Sequence, residues 1–277
     1  MASISVVVPT RDRREAVLRC VASLLRQSLA ADEILVVDNG GKDGSAQALK
    51  SRFAGRVRVL REPRGGVAHA RNCGIEAANG EIVAFIDDDA IADDDWLERL
   101  AACLRETGAL GVGGPAVALW ETPPPPWIAR SSKALSSIGA FSLGSERRRL
   151  DGPRDFLGGA NCAFRREVFD AGQRFLFIST GRPGFGMEDV EFSTRVGRLG
   201  PVYYEPSARV FHYIPRRRLT LAYLAACSFD NGRKKVAVGR PLLPRWRQDW
   251  RGVDAWMSAF SLAGYAVESL RRGIAHE

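Results

Sequence analysis

Residues 81–89 read EIVAFIDDD, and this stretch decides the fold. Ile82–Ile86 are apolar without a break, and three carboxylates follow at once. A short apolar run that ends in charge reads as a buried strand whose C-terminal end opens into a cleft. In open α/β sheets, ligands bind off those strand ends. Adjacent carboxylates repel one another unless a cation sits among them. Hard oxygen ligands suit Mg2+ or Mn2+ carrying a substrate phosphate. Taken alone, Asp87-Asp88-Asp89 also fits a solvated acidic turn that caps the helix starting near Asp93, since Asp is common at helix starts.

Working outward, the same alternation recurs. Ile4–Val8 is a β-branched run halted by Pro9 and reads as the first strand. From Arg13 to Gln27, Val17, Leu18, Val21, Leu24 and Leu25 keep helical spacing. Ile34–Val37 is a second buried strand that ends on Asp38. Asn39-Gly40-Gly41 and Asp43-Gly44-Ser45 are turn chemistry opening a helix near Ser45. Val57–Leu60 is a third strand, Gly65-Gly66 opens a helix through Ala78, and Gly80 starts the fourth strand. After Trp96 a helix runs to Thr107. Strands and helices at this spacing predict an α/β chain with a Rossmann-like, mostly parallel central sheet and helices on both faces.

Downstream, Ala109–Leu119 predicts a further strand. Residues 120–155 hold the Pro123–Pro126 run, Trp120, Trp127 and a basic turn without clean periodicity, so they read as a long mobile insertion. The two tryptophans fit either loop anchors or sugar-stacking faces. Arg165–Ala171 reads as a short helix. Phe185-Gly186-Met187-Glu188-Asp189 reads as a turn into a helix through Arg198. Val202–Tyr204 and Ala208–His212 read as strands, and Leu219–Val238 and Val253–Arg272 as C-terminal helices. The expected organisation is a catalytic domain over 1–215 and a helical extension over 216–277. Within the first, 1–107 is the nucleotide-binding half and 108–215 the acceptor and catalytic half.

Bulk properties narrow the partners. The 277 residues suffice for one large α/β domain or two small ones. A net charge of +8 favours anionic partners: nucleic acid, nucleotide phosphates or an acidic membrane face. The arginine clusters at 146–149, 215–218 and 233–235 are short and separated, and no nucleic-acid motif accompanies them, so no nucleic-acid partner is expected. Five scattered cysteines without a CxxC spacing indicate reduced thiols in a cytoplasmic protein. The N-terminus MASISVVVPT lacks the basic n-region of a signal peptide. No apolar run reaches spanning length; the nearest is Ala255–Val267.

Four clusters stand at strand ends or turns: Pro9-Thr10-Arg11, Asp38, Asp87-Asp88-Asp89 and Glu188-Asp189. Asp38 is placed to accept hydrogen bonds from a base or ribose, as acids after Rossmann strands do. The GxGxxG fingerprint and the P-loop are both missing, and Pro9-Thr10-Arg11 stands where the former would begin.

Six blocks in order resemble the inverting, nucleotide-sugar-dependent glycosyltransferases of family 2, which have the GT-A fold. They are ISVVVPTRDR, EILVVDNGGKDGS, GGVAHARNCGIEAANGEIVAFIDDD, FLGGANCAFRREVF, GFGMEDVEFSTRVGRLG and YYEPSARVFH, between Ile4 and His212. The resemblance implies that Pro9, Thr10, Arg11 and Asp38 hold the nucleotide, with Arg71 near its phosphates. It implies that Asp87-Asp88-Asp89 is the DxD motif. Asp87 and Asp88 would face ribose and sugar, and Asp89 would be the direct ligand of a divalent metal, Mn2+ or Mg2+. His212 matches a histidine found at the metal or diphosphate, and also fits a buried core histidine. Asp189 resembles the catalytic base, with Glu188 as its alternate, and the pair also fits a helix cap. Adjacent helical side chains point about 100° apart, so one of the two faces the sugar.

The implied donor is a UDP-, GDP- or dTDP-sugar and the implied acceptor a glycan or lipid-linked hydroxyl, in cell-surface polysaccharide, lipopolysaccharide or glycoconjugate assembly. A processive synthase would carry QxxRW. Arg245-Trp246 is present, but position 242 is Leu, so single-sugar transfer is expected. The C-terminal helix around Trp256, Phe260 and Tyr265, with Arg271-Arg272 after it, fits peripheral contact with the inner membrane face or packing on the domain. The rival readings are a sugar nucleotidyltransferase, which would want a Gly- and Lys-rich loop after the first strand, and a non-catalytic nucleotide-sugar-binding protein.

Overall fold

The computed structural model describes residues 2–151, 155–178, 186–238 and 252–272. Its N-terminal run is β1 (Ile4–Thr10), α1 (Arg14–Leu24), β2 (Glu33–Asp38), α2 (Ser45–Arg52), β3 (Arg58–Arg61), α3 (Val67–Ala77) and β4 (Ile82–Ile86). Every residue of β1 and of β4 is buried. Strands covered on both faces carry unbroken apolar runs, which is why ISVVV and IVAFI are legible. β3, β2, β1 and β4 lie side by side, all parallel. In α3, a Cβ at Gly74 would strike Val7, so glycine lets the helix lie close on β1.

Then come β5 (Ala90–Ala92), α4 (Trp96–Thr107), β6 (Gly111–Gly113), β7 (Ala116–Trp120), α5 (Pro126–Ala129), α6 (Ser132–Ile138), β8 (Arg148–Arg149) and β9 (Asn161–Arg165). The chain continues through α7 (Arg166–Asp170), α8 (Glu188–Val196), β10 (Val202–Tyr204), β11 (Val210–Ile214), a 3-10 turn at Arg216–Arg218, α9 (Leu221–Ala237) and α10 (Gly252–Arg271). The main sheet has the order β3-β2-β1-β4-β9-β6-β10-β8, and a smaller one the order β5-β11-β7. β9 is antiparallel to both β4 and β6, and β8 to β10. The sheet is mostly parallel as expected, with this reversal at its middle. A short buried run such as NCAF carries no sign of its direction.

Three expectations are corrected. β1 does not stop before Pro9 but runs through it to Thr10. Ser3 O accepts from Ile82 and Ile4 O from Asp32, so odd-numbered residues of β1 turn toward β4. The β4 pairing ends at Val7, so the N–H that Pro9 lacks is missed by no partner strand. The single strand expected over Ala109–Leu119 is two, β6 and β7, parted at Gly114-Pro115 and assigned to different sheets. The stretch 120–155 is not without structure: it forms α5, α6 and β8. Trp120 and Trp127 pack there against a core of Ile128, Ile138, Leu224 and Met257, as anchors. Phe185, Leu242 and Arg245-Trp246 lie outside the described residues.

The chain divides into two compact units. One comprises Met1–Val117, Ser142–Phe177 and Glu188–His212, the other Ala118–Phe141, Ile178–Met187 and Tyr213–Glu277. The first is built around an aromatic cluster. Phe175 stacks on Phe192 at 4.2 Å, Phe164 meets Phe192 edge-on at 5.0 Å, and Phe85 of β4 meets Phe175 edge-on at 5.3 Å. That cluster fixes the strand from which the acidic triplet emerges.

Candidate active site

β4 ends at Ile86 and delivers Asp87, Asp88 and Asp89 off the carboxyl end of the parallel strands. Each finds a cation or donor. Asp87 Oδ1 accepts from Arg71 Nη2 at 3.0 Å. Asp88 accepts from Thr10 Oγ1 and from Arg13 Nη1, both at 2.8 Å. Asp89 Oδ2 accepts from the same Arg13 nitrogen at 2.9 Å, and its Oδ1 lies 2.9 Å from His212 Nε2. Two arginines thus offset the mutual repulsion of the triplet, and His212 gives Asp89 a further polar partner. Burial still pushes Asp88 up to about 6, with Arg13 opposing and Asp89 adding to the shift.

His212 arrives by strand register. It pairs with Ala90 across the antiparallel β11–β5 ladder, directly after Asp89. It is 3% exposed, and its Nδ1 has no hydrogen-bond partner among the described residues. Asp87, Asp89 and His212 each offer a ligand atom, and these atoms lie within 4.8 Å of one another. The two carboxylate oxygens suit Mn2+ or Mg2+, and an imidazole beside them leans the set away from Mg2+ toward a softer divalent ion such as Mn2+. The donor set therefore fits a divalent ion. Asp87, assigned to ribose and sugar by resemblance, stands here with the candidate ligands.

Arg71 of α3 is the link to the second acidic cluster. Its side chain is 3% exposed, and Nη1 donates to Glu188 Oε1 at 2.9 Å while Nη2 holds Asp87. The guanidinium lies 5.3 Å from the Phe175 ring centroid, a cation–π contact. A Cβ at Gly159 would run into that guanidinium, so a larger residue there would push Arg71 off Asp87 or Glu188. The N–H of Gly159 donates to Asp189 Oδ2 at 2.7 Å, and the N–H of Val190 to Asp189 Oδ1 at 2.8 Å. Burial pushes Asp189 up to about 6, and the Glu188 charge adds to the shift, while Arg71 and the two amides oppose it.

The remaining predicted residues sit at the neighbouring strand ends. Pro9 lies in β1 opposite Val37. Asp38 closes β2, buried, with Oδ1 accepting from Gly41 N at 2.8 Å, so one of its oxygens shapes its own turn. Arg11 is not drawn into the constellation: its side chain is 59% exposed, beside Asp12 at 3.8 Å. Arg13, read from sequence only as a helix start, is the residue that bridges Asp88 and Asp89. The signal was the second arginine of PTRDR, two positions past Arg11. Asn39, part of the turn that the sequence marks, reaches further than that turn. It donates to Glu62 O and Arg64 O and accepts from Gly66 N, tying the β2 turn to the entrance of α3.

Residues 5–172 match the family model described as Glycosyl transferase family 2. The chain belongs to this family. The transferase is 28% identical over 251 residues to the succinoglycan biosynthesis protein ExoM of Rhizobium meliloti, covering 89% of this chain and 78% of that protein. It is 28% identical over 284 residues to a glucosyl-dolichyl phosphate glucuronosyltransferase of Haloferax volcanii, covering 97% of this chain and 86% of that one. Among solved structures it resembles the mannosyltransferase PcManGT from Pyrobaculum calidifontis, in complex with GDP-Man and Mn2+. The TM-score is 0.61 with 19% identity, over all of this chain and 76% of that one. The family-2 transferase has the GT-A fold that its six sequence blocks implied.

Proposed function

We propose that this glycosyltransferase moves a single sugar from a nucleotide-sugar to an acceptor hydroxyl with inversion, Asp189 acting as the base. One observation carries the reading: a single buried guanidinium, Arg71, joins the acidic triplet to the Glu188-Asp189 pair. A diphosphate held at Asp87–Asp89 then leaves its sugar within reach of Asp189. Glu188 is engaged by Arg71, whereas Asp189 is held by two backbone amides that fix its carboxylate without neutralising it. Asp189 takes the hydroxyl proton as the acceptor oxygen bonds to the anomeric carbon and the bond to the diphosphate breaks. One displacement from the face opposite the leaving group inverts the centre. The transition state is oxocarbenium-like, as in glycoside hydrolysis.

Thr10 and Arg13 hold Asp88 in place, and Asp38, Pro9 and Thr10 edge the space where base and ribose would lie, within the 1–107 half; the acceptor side falls to 108–215. Asp87, Asp89 and His212 would hold a divalent ion, which when bound offsets charge on the departing diphosphate. The GDP-Man and Mn2+ in the PcManGT complex support a nucleoside-diphosphate donor and this ion class. The names of ExoM and of the dolichyl-phosphate enzyme support a role in polysaccharide or glycolipid assembly, with a glycan or lipid-linked acceptor.

The test is a panel of UDP-, GDP- and dTDP-sugars with Mn2+, reading nucleoside diphosphate release with and without lipid-linked glycan acceptors. Release from one donor class, abolished in Asp189→Asn, is the expected result. Full turnover in Asp189→Asn removes Asp189 as the base. Donor binding with no turnover under any condition leaves a non-catalytic nucleotide-sugar-binding protein.

A further inference from the structure

The second unit contains a helix pair that is apolar on its outer side and carries charges as well as apolar residues on its inner one. Between Val253 and Leu270 of α10 the exposed residues are Ala259, Ala263, Ala266, Val267 and Leu270, all apolar. They recur at helical spacing along one side. The buried residues of the same stretch include Ser261, Glu268 and Ser269. α9 shares the pattern in part: Leu221, Ala222 and Ala226 are exposed, while Asp230, Arg233 and Lys234 are buried beside Leu224, Cys227 and Val236. A helix lying on a water-soluble domain normally turns polar residues outward.

The buried charges are matched inside the pair. Arg233 donates from Nε and Nη2 to Glu268 Oε2 at 3.0 and 2.9 Å, and Arg272 Nε to Glu268 Oε1 at 2.9 Å. Lys234 meets Asp230 at 2.6 Å. Cβ atoms at Gly232 or Gly264 would collide with the backbone of the other helix, at Ser261 and Phe229, so the two helices touch backbone to backbone. This fixes which faces turn outward. Neither helix exposes an acidic residue. The flanks are basic instead: Arg271 and Arg272 follow Leu270, and the exposed Arg216 and Arg217 precede α9. No helix of the described residues is long and apolar enough to cross a membrane.

We propose that the outer face of the α9–α10 pair docks on an anionic lipid surface. It lies in the interfacial plane with Val267 and Leu270 inserted and the exposed Arg216, Arg217 and Arg271 among headgroup phosphates. The charge favours this over a second copy of the chain, because the same face of a copy exposes no acidic residue to meet the basic flanks. The inference rests on the helix pair and not on the transfer reading above.

Co-sedimentation of the full chain with vesicles of phosphatidylcholine alone, and of phosphatidylcholine with increasing phosphatidylglycerol, tests it. The expected result is binding that rises with phosphatidylglycerol and weakens at least tenfold in Val267→Glu/Leu270→Glu, roughly the loss that removing two inserted side chains implies. Leu270→Ser, at a position 81% exposed, serves if the double variant misfolds, with a smaller loss in the same direction. No binding at any phosphatidylglycerol content overturns the proposal. So does binding that both variants leave unchanged, which means plain electrostatic adsorption. A dimer in sedimentation velocity that the double variant dissolves, without vesicle binding, assigns the face to a second copy and overturns it as well.

Discussion

Asp189 Oδ2 accepts the backbone N–H of Gly159 at 2.7 Å, and a Cβ on that glycine would run into the Arg71 guanidinium. The base candidate and the residue linking it to the acidic triplet are therefore positioned by one turn. Asp189→Asn keeps the size of the side chain and removes the proton acceptor. The account predicts a kcat lower by roughly 10²–10⁴-fold with nucleotide affinity unchanged, read by single-turnover kinetics beside equilibrium binding. A parallel fall in affinity would make Asp189 a donor-binding residue.

Arg71 is buried between Asp87 and Glu188. Truncation to Ala leaves two carboxylates without their cation, and one of them, Glu188, is itself buried. The expected loss in urea unfolding is about 3–5 kcal/mol. Glu188→Gln keeps a hydrogen-bond acceptor for Arg71 and is expected to cost about 1–3 kcal/mol. Equal losses in the two variants would mean that Arg71 does not span the two clusters.

As the proposed base Asp189 has to be ionised, and its carboxyl is raised to about 6 by burial. The kcat/KM profile should therefore fall on the acid side with a midpoint near that value. Stability moves in the other direction. A carboxyl raised above its unfolded value favours the folded state below the unfolded pKa, and that contribution is lost as pH rises through the folded one. Asp88 is raised to about 6 by burial and behaves alike. In a chelator, wild type minus Asp189→Asn should lose relative stability between about pH 4 and pH 6, the window bounded by the unperturbed and raised values. A difference flat across that window contradicts the burial of Asp189.

Arg13 supplies the positive charge between Asp88 and Asp89. Its side chain is 40% exposed, so screening limits what its removal costs to about 1 kcal/mol. In Arg13→Ala the gain in Tm from Mn2+ should exceed that of wild type, because the ion then replaces a missing cation. A smaller gain would mean that Arg13 helps to organise the ion site.

Much of this was legible because the first half of the chain has strands buried on both faces. ISVVV, EILVV and IVAFI announce themselves, and the residues following them mark the sheet's carboxyl edge. Thr10, Arg71, Asp87–Asp89, Glu188 and His212 were named from sequence blocks, and the fold brings them together. What was hidden depends on pairing, not pattern. β5 is three residues, Ala90–Ala92, too short for any period to register, yet its ladder with β11 sets His212 beside Asp89. β9, Asn161–Arg165, is a strand that the sequence reading does not mark, and its antiparallel direction leaves no trace in so short a buried run. Arg13 looked like the start of a helix because only the folded chain shows which carboxylates it meets. The apolar outer side of α10 was partly visible as an apolar helix. That Glu268 points inward required Arg233, from a helix far away in sequence.

The most direct measurement is a thermal-shift series of UDP, GDP and dTDP, each with and without Mn2+, on wild type, Asp89→Ala and Asp189→Asn. Ligands that bind only the folded state raise Tm. The account predicts an ion-dependent rise with one nucleotide class, lost in Asp89→Ala and kept in Asp189→Asn. A rise that survives Asp89→Ala, or no rise with any nucleotide, contradicts the placement of the donor diphosphate at Asp87–Asp89.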